Sequence, residues 1–207
     1  MIQFKNITKQ FSAHFVLQDF SFEIQKAEKI NITGRSGIGK TTIFKLLLGF
    51  VKPDKGEILF EGEVLNDKTI WELRKRIVYI SQDLNIGTGK VSQLFDDTLS
   101  LKANAELKAK SLHSLNEYLT QFELNETILN KDIEDLSGGE KQRVAIINGL
   151  LLQRDIYLLD EISSALDKEL KQKVIDYFYL HADFTVLSIS HDNYIPTNAI
   201  SRTLKLD

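Results

Sequence analysis

The chain has 207 residues, enough to bury a core in one large domain or a domain with a subdomain, and its 43% hydrophobic content excludes a disordered chain. It has no cysteine, which rules out disulfides and thiolate metal sites, and its four histidines (His14, His113, His181 and His191) lack ligand spacing. A formal net charge of −3 argues against nucleic acid as a partner.

The opening "MIQFKNITKQF" lacks the apolar core of a signal peptide. The longest apolar run, around residues 43–51, is interrupted by Lys45 and is too short to cross a bilayer. A cytoplasmic protein is therefore expected, reaching any membrane only through a partner.

"KINIT" (29–33) reads as a strand that runs into "GRSGIGKTT" (34–42). The loop satisfies G-x-x-x-x-G-K-[ST] between a predicted strand and a predicted helix. Gly34, Arg35, Ser36, Gly37, Ile38 and Gly39 supply a chain whose successive N–H groups can turn inward as a concave anion site. The positive end of the next helix, at Lys40, Thr41 and Thr42, faces the same point. Lys40 adds a mobile charge for the terminal phosphates, and the Thr41 hydroxyl suits the shell of a magnesium ion. A plain glycine turn would not need this strand–loop–helix setting. The loop alone names the ligand class and leaves kinases, GTPases and many ATPases open.

"TIFKLLLGF" predicts a helix stopping at Gly49. "KPDKGEILFEGEVL" has turn chemistry at Pro53, Asp54 and Gly56 before a strand. The basic run "LRKR" (73–76) reads as a solvated face, and "RIVYISQ" (76–82) as a short buried strand. "GTGK" (87–90) lacks both a spaced leading glycine and a preceding strand, so it reads as a loop. From about residue 85 to 135 the composition turns to Leu, Lys, Glu and Ala without proline, which predicts a helical subdomain inside a single 1–207 domain.

In "LSGGEKQRVAI" (136–146), Ser137 followed three positions later by Glu140 is a capping-box pattern. Gly138 and Gly139 leave the first helical N–H groups unobstructed, a second anion site far along the chain from the first. An ordinary capped helix leaves this glycine pair unexplained, because glycine in a helix costs about 1 kcal/mol relative to alanine. "IYLLDE" (156–161) is an apolar strand ending in two carboxylates. Its C-terminal end belongs beside the phosphate loop, where Asp160 can hold magnesium through water and Glu161 can act as general base. Leu170, Val174, Ile175 and Phe178 share one helical face, and "FTVLSISH" (184–191) is a further strand of the buried parallel type. Strands alternating with helices predict an α/β fold with a parallel sheet.

The phosphate loop, "ISQD", "LSGGE", "YLLDE", "SALD" and "SISHD" occur in the order found in ABC-type ATPases, and the chain resembles that family from about residue 2 to "RTLKL" at 202–206. The resemblance implies a P-loop NTPase with a mostly parallel, RecA-like core sheet, an N-terminal antiparallel β portion and a helical insert. It implies ATP and Mg2+ as ligands and two cassettes that sandwich two ATP molecules head to tail. The phosphate loop of one would face Ser137, Gly138 and Gly139 of the other.

By the same resemblance Phe11 stacks on adenine, with Phe15 as a second choice, and Gln82 touches the magnesium and the attacking water. Gln82 also leads into the loop that couples to a membrane partner. Asp167 links the two halves, and His191 contacts the γ-phosphate. The sequence departs from the family pattern at Ala27 where glycine is usual, at Asn148-Gly149 where arginine-alanine is common, and at Ile162 where proline is usual. None of these is a phosphate or magnesium ligand.

"LNETILNKDIEDLSGGEKQR" and the proline-free "DEISSALD" resemble the ATPase subunits of bacterial iron exporters. The expected role is the ATPase subunit of a transporter with a separate integral membrane permease. It would work as a homodimer, or a dimer with a similar subunit, on the inner face of the cell membrane. With a short insert and a stop soon after His191, no regulatory tail or fused membrane domain is expected. A soluble ABC-type ATPase and an ATP-driven signalling switch are the alternatives. The former usually carries two ATPase domains or a long coiled-coil insertion.

Overall fold

The computed structural model describes residues 1–12, 14–83, 85–190 and 194–206. Two sheets form the frame. Strands β1 (Ile2–Phe11), β2 (His14–Ile24), β4 (Lys55–Phe60) and β5 (Glu63–Val64) make an antiparallel sheet in the order β2-β1-β4-β5. Strands β3 (Lys29–Thr33), β6 (Ile77–Ile80), β7 (Ile156–Asp160), β8 (Thr185–Ile189) and β9 (Ser201–Lys205) make a second sheet in the order β6-β7-β8-β3-β9. Every pairing in the second sheet is parallel. Buried along their whole length, β7 and β8 read as mainly apolar runs, and this made them visible in the sequence.

The parallel sheet divides two cores. Ile156 and Leu158 of β7 point to the side of Ile43, Phe44 and Leu47 in helix α1 (Lys40–Leu47) and of the antiparallel sheet. Tyr157 and Leu159 point to the other side, toward Val144 and Ile147 of α5 (Gly138–Leu150) and Val174 and Phe178 of α6 (Lys168–Leu180). This alternation is the two-residue period of a strand sandwiched between layers. Helix α2 (Ile70–Arg74) precedes β6, while α3 (Val91–Ser100) and α4 (Lys108–Gln121) follow it with short 3₁₀ turns. Val91, Phe95, Leu119 and Phe122 of that stretch join the core on the α5 side.

Two sequence features have local causes visible here. Gly149 lets α5 lie close on β6, because a Cβ at that position would stand 2.8 Å from Val78 Cγ1. Ile162, in place of proline, is buried in the core with α5 and α6. The run "LRKR" is not the solvated face its charge suggests. Leu73 is fully buried, and the Arg74 guanidinium donates to the Leu48 carbonyl that follows α1. Arg76 pairs with Asp155 and Glu61. Of the run, Lys75 alone is exposed.

Candidate nucleotide site

Register brings the site together. Ile189 at the end of β8 pairs with Ile32 on one side and with Asp160 on the other, and Ile80 pairs with Leu159. The chain leaving β3, β6, β7 and β8 therefore emerges along one edge, carrying the phosphate loop, Gln82, Glu161 and Ser190. This is the edge where open α/β sheets bind ligands.

Gly39 begins α1 with φ 110°, a conformation that suits glycine. A Cβ there would lie 2.4 Å from Val16 Cγ1 of β2, so the loop is seated on the β1–β2 hairpin. No side chain caps α1, which leaves its first N–H groups and positive end open to an anion. The Lys40 side chain, 8% exposed, turns back to donate to the carbonyls of Gly34 (2.9 Å) and Arg35 (3.0 Å). Arg35, Ser36 and Gly37 are exposed at the mouth, Ile38 is half-buried, and Thr42 lies inside the helix.

Asp160 is 5% exposed, and one of its oxygens, Oδ2, accepts from the Thr41 hydroxyl at 3.1 Å and the Tyr79 hydroxyl at 3.3 Å. Burial raises the Asp160 pKa above the ordinary carboxylate value; the charge of Glu161 adds to this, while the two donors and Lys40 oppose it. The Tyr79 phenol is pushed up to about 12, first by burial and then by the Asp160 charge, so it stays a donor at neutral pH. Glu161 has φ 52°, an unfavourable backbone for a non-glycine residue of the kind that collects at functional sites. Its N–H still bonds the Ile189 carbonyl at 2.9 Å, and its Oε2 accepts from Gln82 Nε2 at 2.8 Å.

The second glycine pair goes elsewhere. Ser137 and Glu140 form both halves of the capping box, at 3.2 Å and 2.9 Å. Gly138 and Gly139 pack on Ala165, in the loop that follows Glu161; Cβ atoms built on them would lie 3.7 Å and 3.2 Å from its atoms. Ser137 and Gly138 are exposed. Asp167, in the same loop, caps α6 by accepting from the Leu170 N–H at 3.0 Å.

Phe11 and Phe15 lie at the turn of the hairpin that carries Val16, 43% and 58% exposed, with Lys9 Nζ 5.3 Å from the Phe11 ring centre. His191 lies outside the described residues. The sequence reading passed over Tyr79. The available signal was a phenol in the otherwise aliphatic strand "IVYI", since a buried tyrosine hydroxyl needs a partner.

Gathered in one chain are an anion cradle, a buried carboxylate gripped by two hydroxyls, and a second carboxylate held by an amide. A second helix start with bare N–H groups opens outward. The chain is similar to known proteins in sequence and in fold. The family pattern described as ABC transporter matches residues 17–164. The energy-coupling factor transporter ATP-binding protein EcfA1 of Geobacillus kaustophilus is 33% identical over 181 residues. That alignment covers 86% of this chain and spans 64% of the length of that relative. An ATP-bound bacterial Atm1-family ABC exporter superposes with a TM-score of 0.83 at 27% identity, covering 100% of this chain and 36% of the exporter chain. A dimeric ATP-binding cassette in a post-hydrolysis state, bound to ADP and Pi, superposes with a TM-score of 0.81 at 25% identity, covering 100% of this chain and 94% of that one. With the family pattern lying over the phosphate loop, the carboxylate pair and the serine-capped helix that opens with Gly138 and Gly139, the chain belongs to the ABC transporter family as one of its ATP-binding cassettes.

Proposed function

We propose that this chain binds and hydrolyses ATP as half of a head-to-tail dimer and drives solute movement through a separate membrane permease. One observation carries the reading. The phosphate loop converges with Asp160, Glu161 and Gln82 on one sheet edge, while Ser137, Gly138 and Gly139 pack on the loop beyond Glu161. A second copy is the natural source of the missing wall. The solved dimeric cassette supports that assembly.

ATP would lie with its phosphates over residues 34–42 and its adenine toward the Phe11 and Phe15 hairpin turn. Lys40 would exchange the Gly34 and Arg35 carbonyls for phosphate oxygens. Water attacks the γ-phosphorus, Glu161 takes the water proton, and the bond to ADP breaks to give ADP and phosphate. Gln82 holds the Glu161 carboxylate in line for this, and His191 is assigned to the γ-phosphate. A general base is worth about 10²–10⁴-fold in rate, or roughly 3–5 kcal/mol of barrier.

The residues fit Mg2+. Thr41, Asp160 and the amide oxygen of Gln82 offer hard oxygen donors, and among the described residues no cluster of three His, Cys, Asp or Glu forms an all-protein metal cage. Such a partial donor set suits an ion that keeps waters and takes its other ligands from phosphates. Mg2+ bound there would neutralise charge on the β- and γ-phosphate oxygens.

Residues 85–135 are proposed as a helical subdomain of this single cassette. Among the described residues no helix is long and apolar enough to cross a membrane. The proposed position is accordingly on the inner face of the cell membrane, docked on the permease. For the cargo, the stretch 124–143 favours iron export, and intracellular iron in a strain lacking the gene tests it. Unchanged iron content removes that cargo without touching the ATPase reading.

The ATPase itself is tested with Glu161→Gln. Turnover should fall about 10²–10⁴-fold, while ATP still binds and holds a dimer in size-exclusion chromatography. Wild-type turnover in the variant removes Glu161 from the chemistry.

A further inference from the structure

Thr41, Asp160 and Gln82 are the residues to which this reading gives the metal, yet a further side chain is built into the Thr41–Asp160 contact. Tyr79 stands on β6, and its ring packs edge-on against Phe44 of α1, with centroids 6.0 Å apart and planes at 75°. Phe44 is fully buried in the helix that opens with Lys40 and Thr41. The ring is thus held by the element that carries the phosphate loop, and its hydroxyl reaches Asp160 Oδ2, the oxygen that also accepts from Thr41. Three elements, β6, β7 and α1, converge on one carboxylate oxygen. Oδ1 is left uncommitted by either donor. The Thr41 hydroxyl has one proton, spent on Asp160, and lone pairs to spare for a cation. Tyr79 has no such second duty.

We propose that Tyr79 is a positioning residue for the metal site: its hydroxyl locks the Asp160 carboxylate in the orientation that meets a divalent cation bound with ATP. The proposal rests on the nucleotide-site reading. With the phenol removed, Asp160 keeps a single donor and can turn about its side-chain bonds. Partners that orient metal-binding carboxylates typically contribute about 10–100-fold in metal affinity.

The test uses Mn2+ as the probe, its free concentration followed by electron paramagnetic resonance in the presence of ATP. ATP binding is measured separately in EDTA. Tyr79→Phe keeps the ring against Phe44 and removes only the hydroxyl. Mn2+ binding should weaken about tenfold, with metal-free ATP binding unchanged. Phe44→Leu loosens the ring that carries the hydroxyl, so it should lower the ratio of metal-dependent to metal-free binding by less than Tyr79→Phe does. If Tyr79→Phe binds Mn2+ like wild type, or weakens ATP equally with and without metal, the proposal is overturned. Wild-type protein that fails to take up Mn2+ with ATP overturns the nucleotide-site reading instead.

Discussion

Asp160 shows what a buried carboxylate costs the fold. Its carboxylate is buried, and its pKa is raised because burial disfavours the charged form. The sign follows from linkage: a carboxyl whose folded pKa is raised destabilises the fold above that pKa, and the penalty fades as pH falls toward its ordinary value. Asp160→Asn removes the charge and keeps an oxygen for Thr41 and Tyr79. The nucleotide-free variant should therefore melt higher than wild type at pH 7, and the difference should shrink in acid. It should also lose the extra rise in melting temperature that Mg2+ adds to ATP. A variant that melts lower at pH 7 would mean that the charge is compensated within the apo fold. Ala27 makes a contrasting case. It sits at φ 62°, where the family has glycine, while its N–H bonds Thr185 Oγ1 at 2.9 Å. Ala27→Gly should stabilise by about 0.5–1 kcal/mol, read as a higher denaturant midpoint at unchanged slope. A lower midpoint would show that the loss of chain entropy in glycine outweighs the relieved backbone.

Among the elements, α5 states its start most plainly in the sequence. Ser137 and Glu140 declare the capping box, and both hydrogen bonds are present. Glu140 also accepts from Lys131, and these contacts, with the lysine first and the Ser137 N–H second, bring its pKa down to about 2. A depressed carboxylate pKa gives stability that is complete above the ordinary 4.5 and is lost as pH falls to about 2. The Lys131 side chain is 47% exposed and solvent weakens the pair, so the cap is the larger part, about 1 kcal/mol. Glu140→Ala should lower the melting temperature by about 2–4 °C at neutral pH, and the gap from wild type should close between pH 4.5 and about 2. A gap that persists in acid would mean that the side chain acts by packing. The strands β7 and β8 were equally readable, since burial on two faces leaves no polar alternation. The cross-element contacts were not. Tyr79 meets Asp160 across 81 positions and Gln82 meets Glu161 across 79, distances that no periodicity encodes. Arg74 and Arg76 misled for the same reason: their partners lie on other elements, so only their charge was visible.

At the scale of the whole molecule, the phosphate-loop pattern and the second glycine-bearing helix start were each legible in the sequence, but what each packs against belongs to the fold. Gly138 and Gly139 rest on Ala165, five positions from Asp160, yet they pack on the loop beyond the carboxylates and open to solvent. On the proposed reading, a lone cassette would hold one phosphate loop and one helix start whose phosphate comes from a second copy. Two copies turned head to tail would satisfy both. The absence of cysteine makes this testable without background. Ser36→Cys on one batch of Glu161→Gln protein and Ser137→Cys on another place single thiols on the phosphate loop and on the second helix start. Mixed with Mg2+ and ATP and treated with a short bis-maleimide, the two batches should give a cross-linked heterodimer, and without nucleotide much less of it. The Ser36→Cys batch alone should cross-link poorly, because head-to-tail pairing sets each phosphate loop against the other subunit's glycines rather than against its own counterpart. A yield independent of ATP, or cross-linking confined to the Ser36→Cys batch, would mean that the copies meet through some other face and that the two glycine loops do not share a triphosphate.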